Sequence, residues 1–126
     1  MKLDYYCARN IMLTIEALDD NDALTEENCT NAPLLKAYPA NQIHYTVERL
    51  IEASFIPNYC FVRLINGATY KIDSLTWEGH QYLDCIRNDA PWEKSILQSK
   101  FFESVPFKIL CELALQNIRL GLGLPT

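Results

Sequence analysis

Two histidines, His44 and His80, and five cysteines, Cys7, Cys29, Cys60, Cys85 and Cys111, are the side chains here with the widest chemistry. The cysteines stand 22, 31, 25 and 26 positions apart. No C-x-x-C pair is written, so neither a zinc knuckle nor a thioredoxin-type redox pair is expected. An odd count, with Cys7, Cys85 and Cys111 inside apolar helical stretches, predicts reduced structural thiols. His80 and Asp84 sit four apart, spaced for an orienting hydrogen bond along one helix. His80 and Cys85 are five apart, about 140° round the helix, which is wrong for a base and its nucleophile. Carboxylates and thiols do not fall at ligand spacing around either histidine, so no metal is expected. The phosphate-binding patterns G-x-x-x-x-G-K-[ST] and G-x-G-x-x-G and the nucleophile elbow G-x-S-x-G are all missing. The expectation is a non-enzymatic protein without a cofactor.

Charge is the second chemical resource, and it is placed unevenly. Residues 1–31 carry seven acids and two bases, whereas residues 32–126 balance nine against nine. The excess centres on Asp19, Asp20, Asp22, Glu26 and Glu27. A calcium loop needs a glycine at its sixth position, and none stands here. Two readings remain open for this patch: a solvated loop leaving a helix, or a negative surface for a basic partner, including one that imitates nucleic-acid phosphates.

The chain that must position these groups has 126 residues, 49% apolar or aromatic and 21% charged, with a net charge of −5. Such a chain fills one globular domain with a hydrophobic core. Disorder is excluded by its wealth of large apolar residues. No run approaches the ~18 apolar residues of a membrane span, and the N-terminus lacks the apolar stretch of a signal peptide. The expected location is the cytoplasm, with no membrane association.

Periodicity gives the elements. Cys7, Ile11, Ile15 and Leu18 form one apolar stripe of a helix over residues 4–18. A polar loop from Asp19 to Asn31 follows, then a short strand at Ala32–Tyr38. Ile43, Val47, Leu50 and Ile51 mark a second helix from Asn41 to Phe55, which Pro57 ends. Tyr59–Ile65 and Ala68–Asp73 flank Asn66-Gly67, a strong hairpin signal. A type I′ turn there pairs Phe61 with Ile72 and Arg63 with Tyr70. Thr76 suits the N-cap of a third helix, and Gly79 in its first turn predicts a close helix contact. Further helices are expected at Trp92–Phe102 and from Ser104 to Leu120, with Gly121 and Gly123 as C-capping positions.

Helix, short strand, helix, hairpin, helix is the order of a winged-helix domain whose first helix-turn-helix member is reduced. The fold expected is α+β and mostly helical: a winged-helix-like core over residues 1–89 with a C-terminal helical extension over 90–126. Leu75, Thr76, Gly79, Tyr82 and Leu83 match the L-T-x-x-G-x-x-[YF]-L that follows the wing in winged-helix transcription factors. More of the chain resembles one family of unknown function, small proteins of bacteria, phages and prophages. The resemblance is carried by Met1-Lys2-Leu3-Asp4, by Ile43 through Ala53, by Leu75-Thr76-Trp77-Glu78-Gly79-His80, and by Ile86-Arg87-Asn88-Asp89 and Trp92. The departure is Ser54-Phe55-Ile56, where such proteins usually have alanine-glycine-leucine-isoleucine at the helix end, before the turn into the wing. The resemblance implies a winged-helix-like fold and a phage or prophage setting, and supplies no catalytic residues.

In that frame the binding helix presents Asn41, His44, Tyr45, Glu48 and Arg49, and the wing presents Arg63, Asn66, Gly67 and Lys71. Asn41 and Gln42 suit base edges, and Arg87, Lys94 and Lys100 suit a basic rim. This is less basic than a reader of duplex DNA usually is. The last helix has no clear polar face, so Phe107, Leu110, Leu113, Ile118 and Leu120 are expected to form a homodimer interface. The function expected is binding to a host protein or a nucleic-acid-handling or defence complex. The alternative is a dimeric, sequence-specific DNA-binding regulator.

Overall fold

A computed structural model of the chain describes residues 1–125. It is α+β and mostly helical, with a small three-stranded antiparallel sheet. The first apolar stripe forms α1, Tyr5–Glu16, burying Cys7, Ile11 and Ile15, while Leu18 lies beyond its end. Asp4 caps it. One carboxylate oxygen accepts from the Cys7 N–H at 3.0 Å, and the other accepts from Gln42 Nε2 at 3.4 Å. That cap satisfies an orphan first-turn donor and places a negative charge at the positive end of the helix. It also ties α1 to α2, Ala40–Glu52, against which α1 packs. Ile43, Val47 and Leu50 of α2 are buried, as their spacing predicts.

The acidic stretch is more ordered than a loop. Leu24–Thr25 is a strand, β1, and Cys29–Asn31 forms a 3-10 turn. Asn28 holds the segment by accepting from the Thr25 N–H at 2.8 Å and donating to the Ala23 carbonyl at 2.8 Å. Buried Leu24 and Cys29, alone among polar neighbours, are the anchors. The strand expected at Ala32–Tyr38 does not form. Those residues make successive turns, closed by Leu35 N–H on Ala32 and Tyr38 N–H on Leu35, with only Leu35 buried. Pro33 removes a ladder donor from the run, and β1 takes the place at the sheet edge instead.

The hairpin forms with a shifted register. β2, Phe61–Leu64, and β3, Gly67–Ile72, pair Phe61 with Tyr70 and Arg63 with Ala68. Ile65 and Asn66 therefore make the turn, and neither has positive φ; Gly67 does, at 144°. The glycine closes the turn from the first position of β3, so the type I′ expectation at Asn66-Gly67 is incorrect. A slip of two residues leaves every side chain on its expected face. β1 adds to β3 through Leu24 opposite Ile72, giving the order β1-β3-β2.

The chain divides into two compact units, Met1–His80 and the part from Gln81 onward. The division falls inside α3, Trp77–Ile86. The start of α3 is fixed to the end of α2. Ser54 takes φ 67° after α2, Phe55 N–H bonds the Leu50 carbonyl at 2.9 Å, and Ser54 N–H bonds Ile51 at 3.0 Å. These are the two bonds of a Schellman cap, with serine where glycine is preferred. Thr76 then donates its N–H to the Phe55 carbonyl at 3.0 Å and its hydroxyl to the Ser54 carbonyl at 2.6 Å. The same hydroxyl accepts from the Gly79 N–H at 2.9 Å, the N-cap expected. Gly79 is the close contact foreseen: a Cβ there would overlap the Phe55 carbonyl oxygen.

In the second unit, α4, Asp89–Gln98, packs against α5, Phe107–Gly121. Trp92 meets Phe107 edge-on at 6.4 Å. Helix α4 starts and ends earlier than expected, so Phe101 and Phe102 lie past it, exposed. Pro106 occupies the N-cap of α5. Its C-terminus repeats the Schellman bonds, Leu124 N–H on Arg119 at 2.8 Å and Gly123 N–H on Leu120 at 3.1 Å, with Gly123 at φ 74°.

Two substitutions test the α2–α3 junction by thermal unfolding. Ser54→Gly removes left-handed strain and is expected to stabilise by about 1 kcal/mol. Gly79→Ala forces backbone apart and is expected to destabilise by about 3 kcal/mol. An unchanged midpoint for either would contradict this geometry.

Candidate functional site

Burial of Ile43, Val47 and Leu50 turns His44, Tyr45, Glu48, Arg49 and Glu52 to the other side of α2, where they meet one another. Arg49 reaches Glu48 at 3.3 Å, pairs with Glu52, and lies over the Tyr45 ring at 4.9 Å from its centroid. The one arginine of this face is therefore compensated within the helix. His44 stands between two carboxylates, Nδ1 at 2.7 Å from Glu26 and Nε2 at 2.9 Å from Glu48. Its ring lies 6.0 Å from that of Phe61 and 5.9 Å from that of Tyr70. The fold thus brings a residue of the acidic patch, Glu26, onto the expected binding helix. In the sequence the two residues stand 18 positions apart, on what reads as two separate surfaces.

Asp19, Asp20, Asp22 and Glu27 stay exposed. The cations of the hairpin divide between faces. Arg63 lies opposite Ala68, on the side of Phe61 and Tyr70, while Lys71 shares the other face with Val62 and Thr69. Asn66 is exposed at the turn beside Ile65, and Val62 and Leu64 are exposed as well. Trp77, in the L-T-W-E-G-H block, is 80% exposed, an aromatic surface residue that sequence reasoning did not nominate. Its signal was its place beside the cap, where the helix turns it outward.

Among the C-terminal residues, Phe107 and Leu110 are buried within the chain, Leu113 and Ile118 are half-buried, and Leu120 is exposed. A cleft of about 630 Å³ runs between α3 and α5, lined by Tyr82, Cys85, Cys111, Leu115 and Ile118 among others. Asp84 on its rim is held by Arg87 at 2.6 Å, and Lys108 lies over the Tyr82 ring at 5.6 Å. Lys94 and Lys100 are exposed. His80 is exposed too, its N–H bonded to the Thr76 carbonyl at 3.0 Å within the first turn of α3.

All five cysteines are free thiols, and only Cys85 is not fully buried. Burial pushes the thiols of Cys7, Cys60 and Cys85 up, and that of Cys111 up to about 12, with Cys85 and Glu112 nearby adding to the shift. Among the described residues no group of three histidines, cysteines or acids is placed to hold a metal ion. No helix among them is long and apolar enough to cross a membrane.

A family model described as hypothetical protein (DUF2513) matches residues 2–104. The chain belongs to the DUF2513 family. The match runs from before α1 to beyond α4, and takes in the Asp4 cap, the α2 face, the hairpin and the Thr76–Gly79 junction. Helix α5 lies outside the DUF2513 span. No curated protein and no solved structure matches the chain.

The raised thiols remain protonated near neutral pH, and a protonated thiol is a poor nucleophile. With Ellman's reagent at pH 8, the native protein is expected to react slowly at Cys85 and to protect Cys7, Cys60 and Cys111. All five should react after denaturation. Rapid native reaction of more than two thiols would contradict the burial described.

Proposed function

We propose that the chain is a non-enzymatic, protein-binding module of winged-helix plan. It acts in a phage or prophage setting on a host protein or on a nucleic-acid-handling or defence complex. The winged-helix plan is supported by the sheet order β1-β3-β2 and by α2 immediately preceding the hairpin. The observation that carries the function is the compensated face of α2. Phosphate neutralisation supplies most of the affinity of a DNA reader, and here Arg49 is already engaged by Glu48 and Glu52. Arg63 and Lys71 lie on opposite faces of the hairpin, so the pair does not build one cationic surface. Exposed Asp19, Asp20, Asp22 and Glu27 favour a basic partner surface, which they steer at long range.

The second reading is a dimeric DNA-binding regulator. Exposed Asn41 at the start of α2, and exposed Arg63 and Lys71, which form no ion pair among the described residues, favour it. Exposed Leu115 and Leu120 of α5, with Leu122 and Leu124 just beyond it, support a homodimer in either reading.

Fluorescence anisotropy with mixed duplex DNA at about 50 and 200 mM salt separates the two, since phosphate-driven binding collapses over that range. Protein binding predicts no DNA affinity at either salt, and capture of a host protein that is lost when Asp19, Asp20 and Asp22 are all changed to Asn. Low-salt DNA binding that weakens with salt and with Arg63→Ala would overturn the proposal in favour of the regulator.

A further inference from the structure

A pocket of about 350 Å³ opens between the acidic segment, the start of α2 and β3, lined by Glu26, Cys29, Ala40, Asn41, His44 and Tyr70. Three of its features are incomplete. Helix α2 begins at Pro39 without a side-chain cap. The Gln42 and Ile43 N–H groups fold back on the Pro39 carbonyl, at 3.1 and 3.2 Å, and those of Ala40 and Asn41 have no partner among the described residues. Uncapped first-turn donors at the positive end of a 13-residue helix call for an acceptor. Tyr70 is the second feature. It is 2% exposed, and its hydroxyl is buried with only the weakly bonding Cys29 thiol beside it and no oxygen or nitrogen partner among the described residues. The phenol lies near the Cys29 thiol and in the field of Glu26 and Glu27; burial first, then these neighbours, push its pKa up, so it remains a neutral donor. A buried hydroxyl left unpaired is destabilising, and a native structure that keeps one usually completes it with something bound. The third feature is Glu26. It lines the pocket with Oε1 2.7 Å from His44 Nδ1, and Oε2 has no partner among the described residues.

We propose that this pocket binds a small neutral molecule carrying a carbonyl beside an N–H, the edge presented by carboxamides and nucleobases. The carbonyl meets the N–H groups of Ala40 and Asn41 and the Tyr70 hydroxyl, and the N–H meets the Glu26 carboxylate. Charge selects this class. An anion would answer the helix terminus but lie against Glu26 and Glu27, and a cation would answer the acids but face the helix donors. A flat amide satisfies donors and acceptor together, and the rings of Tyr70 and His44 offer it an aromatic wall. The site adjoins the partner surface proposed above but includes none of Asp19, Asp20 and Asp22, on which that reading is tested, so its failure would leave that reading in place.

The test is an NMR titration of the ¹⁵N-labelled full chain with nicotinamide and with cytosine, and with benzoate and benzylammonium as the charged comparators. Nicotinamide or cytosine at up to about 10 mM, the range in which fragments of this size half-saturate, is expected to shift the amides of Ala40, Asn41, His44 and Tyr70. Tyr70→Phe is expected to lose those shifts while melting at the same temperature as the parent or higher, because it deletes an unpaired hydroxyl. Absence of shifts with both amides, or equal shifts from benzoate or benzylammonium, would overturn the proposal. A lower melting temperature for Tyr70→Phe would overturn it too, since a bound water would then already complete the hydroxyl.

Discussion

Thr76 holds the structure at its narrowest point. Its N–H and hydroxyl bond the carbonyls of Phe55 and Ser54, at 3.0 and 2.6 Å, while the same oxygen caps the helix that Thr76 begins. The hairpin, Phe61–Leu64 and Gly67–Ile72, lies wholly between these two ends of backbone. Its base is therefore closed by hydrogen bonds that do not belong to the sheet. Two-stranded ribbons are marginal alone, and this one gains a third strand on one side and a fixed base at the other. Gly79 completes the junction, since the helix approaches the Phe55 carbonyl more closely than any side chain would permit.

Ser54 is where that geometry is strained. The chain leaves α2 through a left-handed residue, as it leaves α5 through Gly123, and the hydrogen bonds of the two caps are the same. Glycine carries no steric penalty at such a position, whereas a Cβ does. The bonds from Thr76 to Ser54 and Phe55 hold the serine in that conformation.

The same packing that sets the hairpin sets the chemistry of the surface. With Tyr70 and Phe61 against His44, and Leu24 paired to β3, the acidic segment is drawn up to α2, and Glu26 comes within hydrogen-bond reach of the imidazole. A helix face whose sequence offers one arginine and one histidine thereby becomes one of compensated charges. The pocket at the start of α2 arises from the same meeting of three segments.

The sequence by itself determined the helices, their buried stripes, the Thr76 cap, the need for a close contact at Gly79, and the existence and facing of the hairpin. Each follows from a short-range rule: a period of 3.6 or 2, a capping hydroxyl three residues before its donor, or a glycine in a crowded turn. Strand β1 was hidden because two residues carry no period, and it exists only by pairing with β3. Ala32–Tyr38 looked apolar enough for a strand, but with β3 already flanked by β1 and β2 it closed into turns. The hairpin register depended on whether Gly67 stood in the turn or closed it, and local sequence accommodates both. The meeting of Glu26 with His44, the unpaired Tyr70 hydroxyl and the exposure of Trp77 were decided by tertiary structure alone. Each depends on residues far apart in the chain, and no local pattern encodes where they meet.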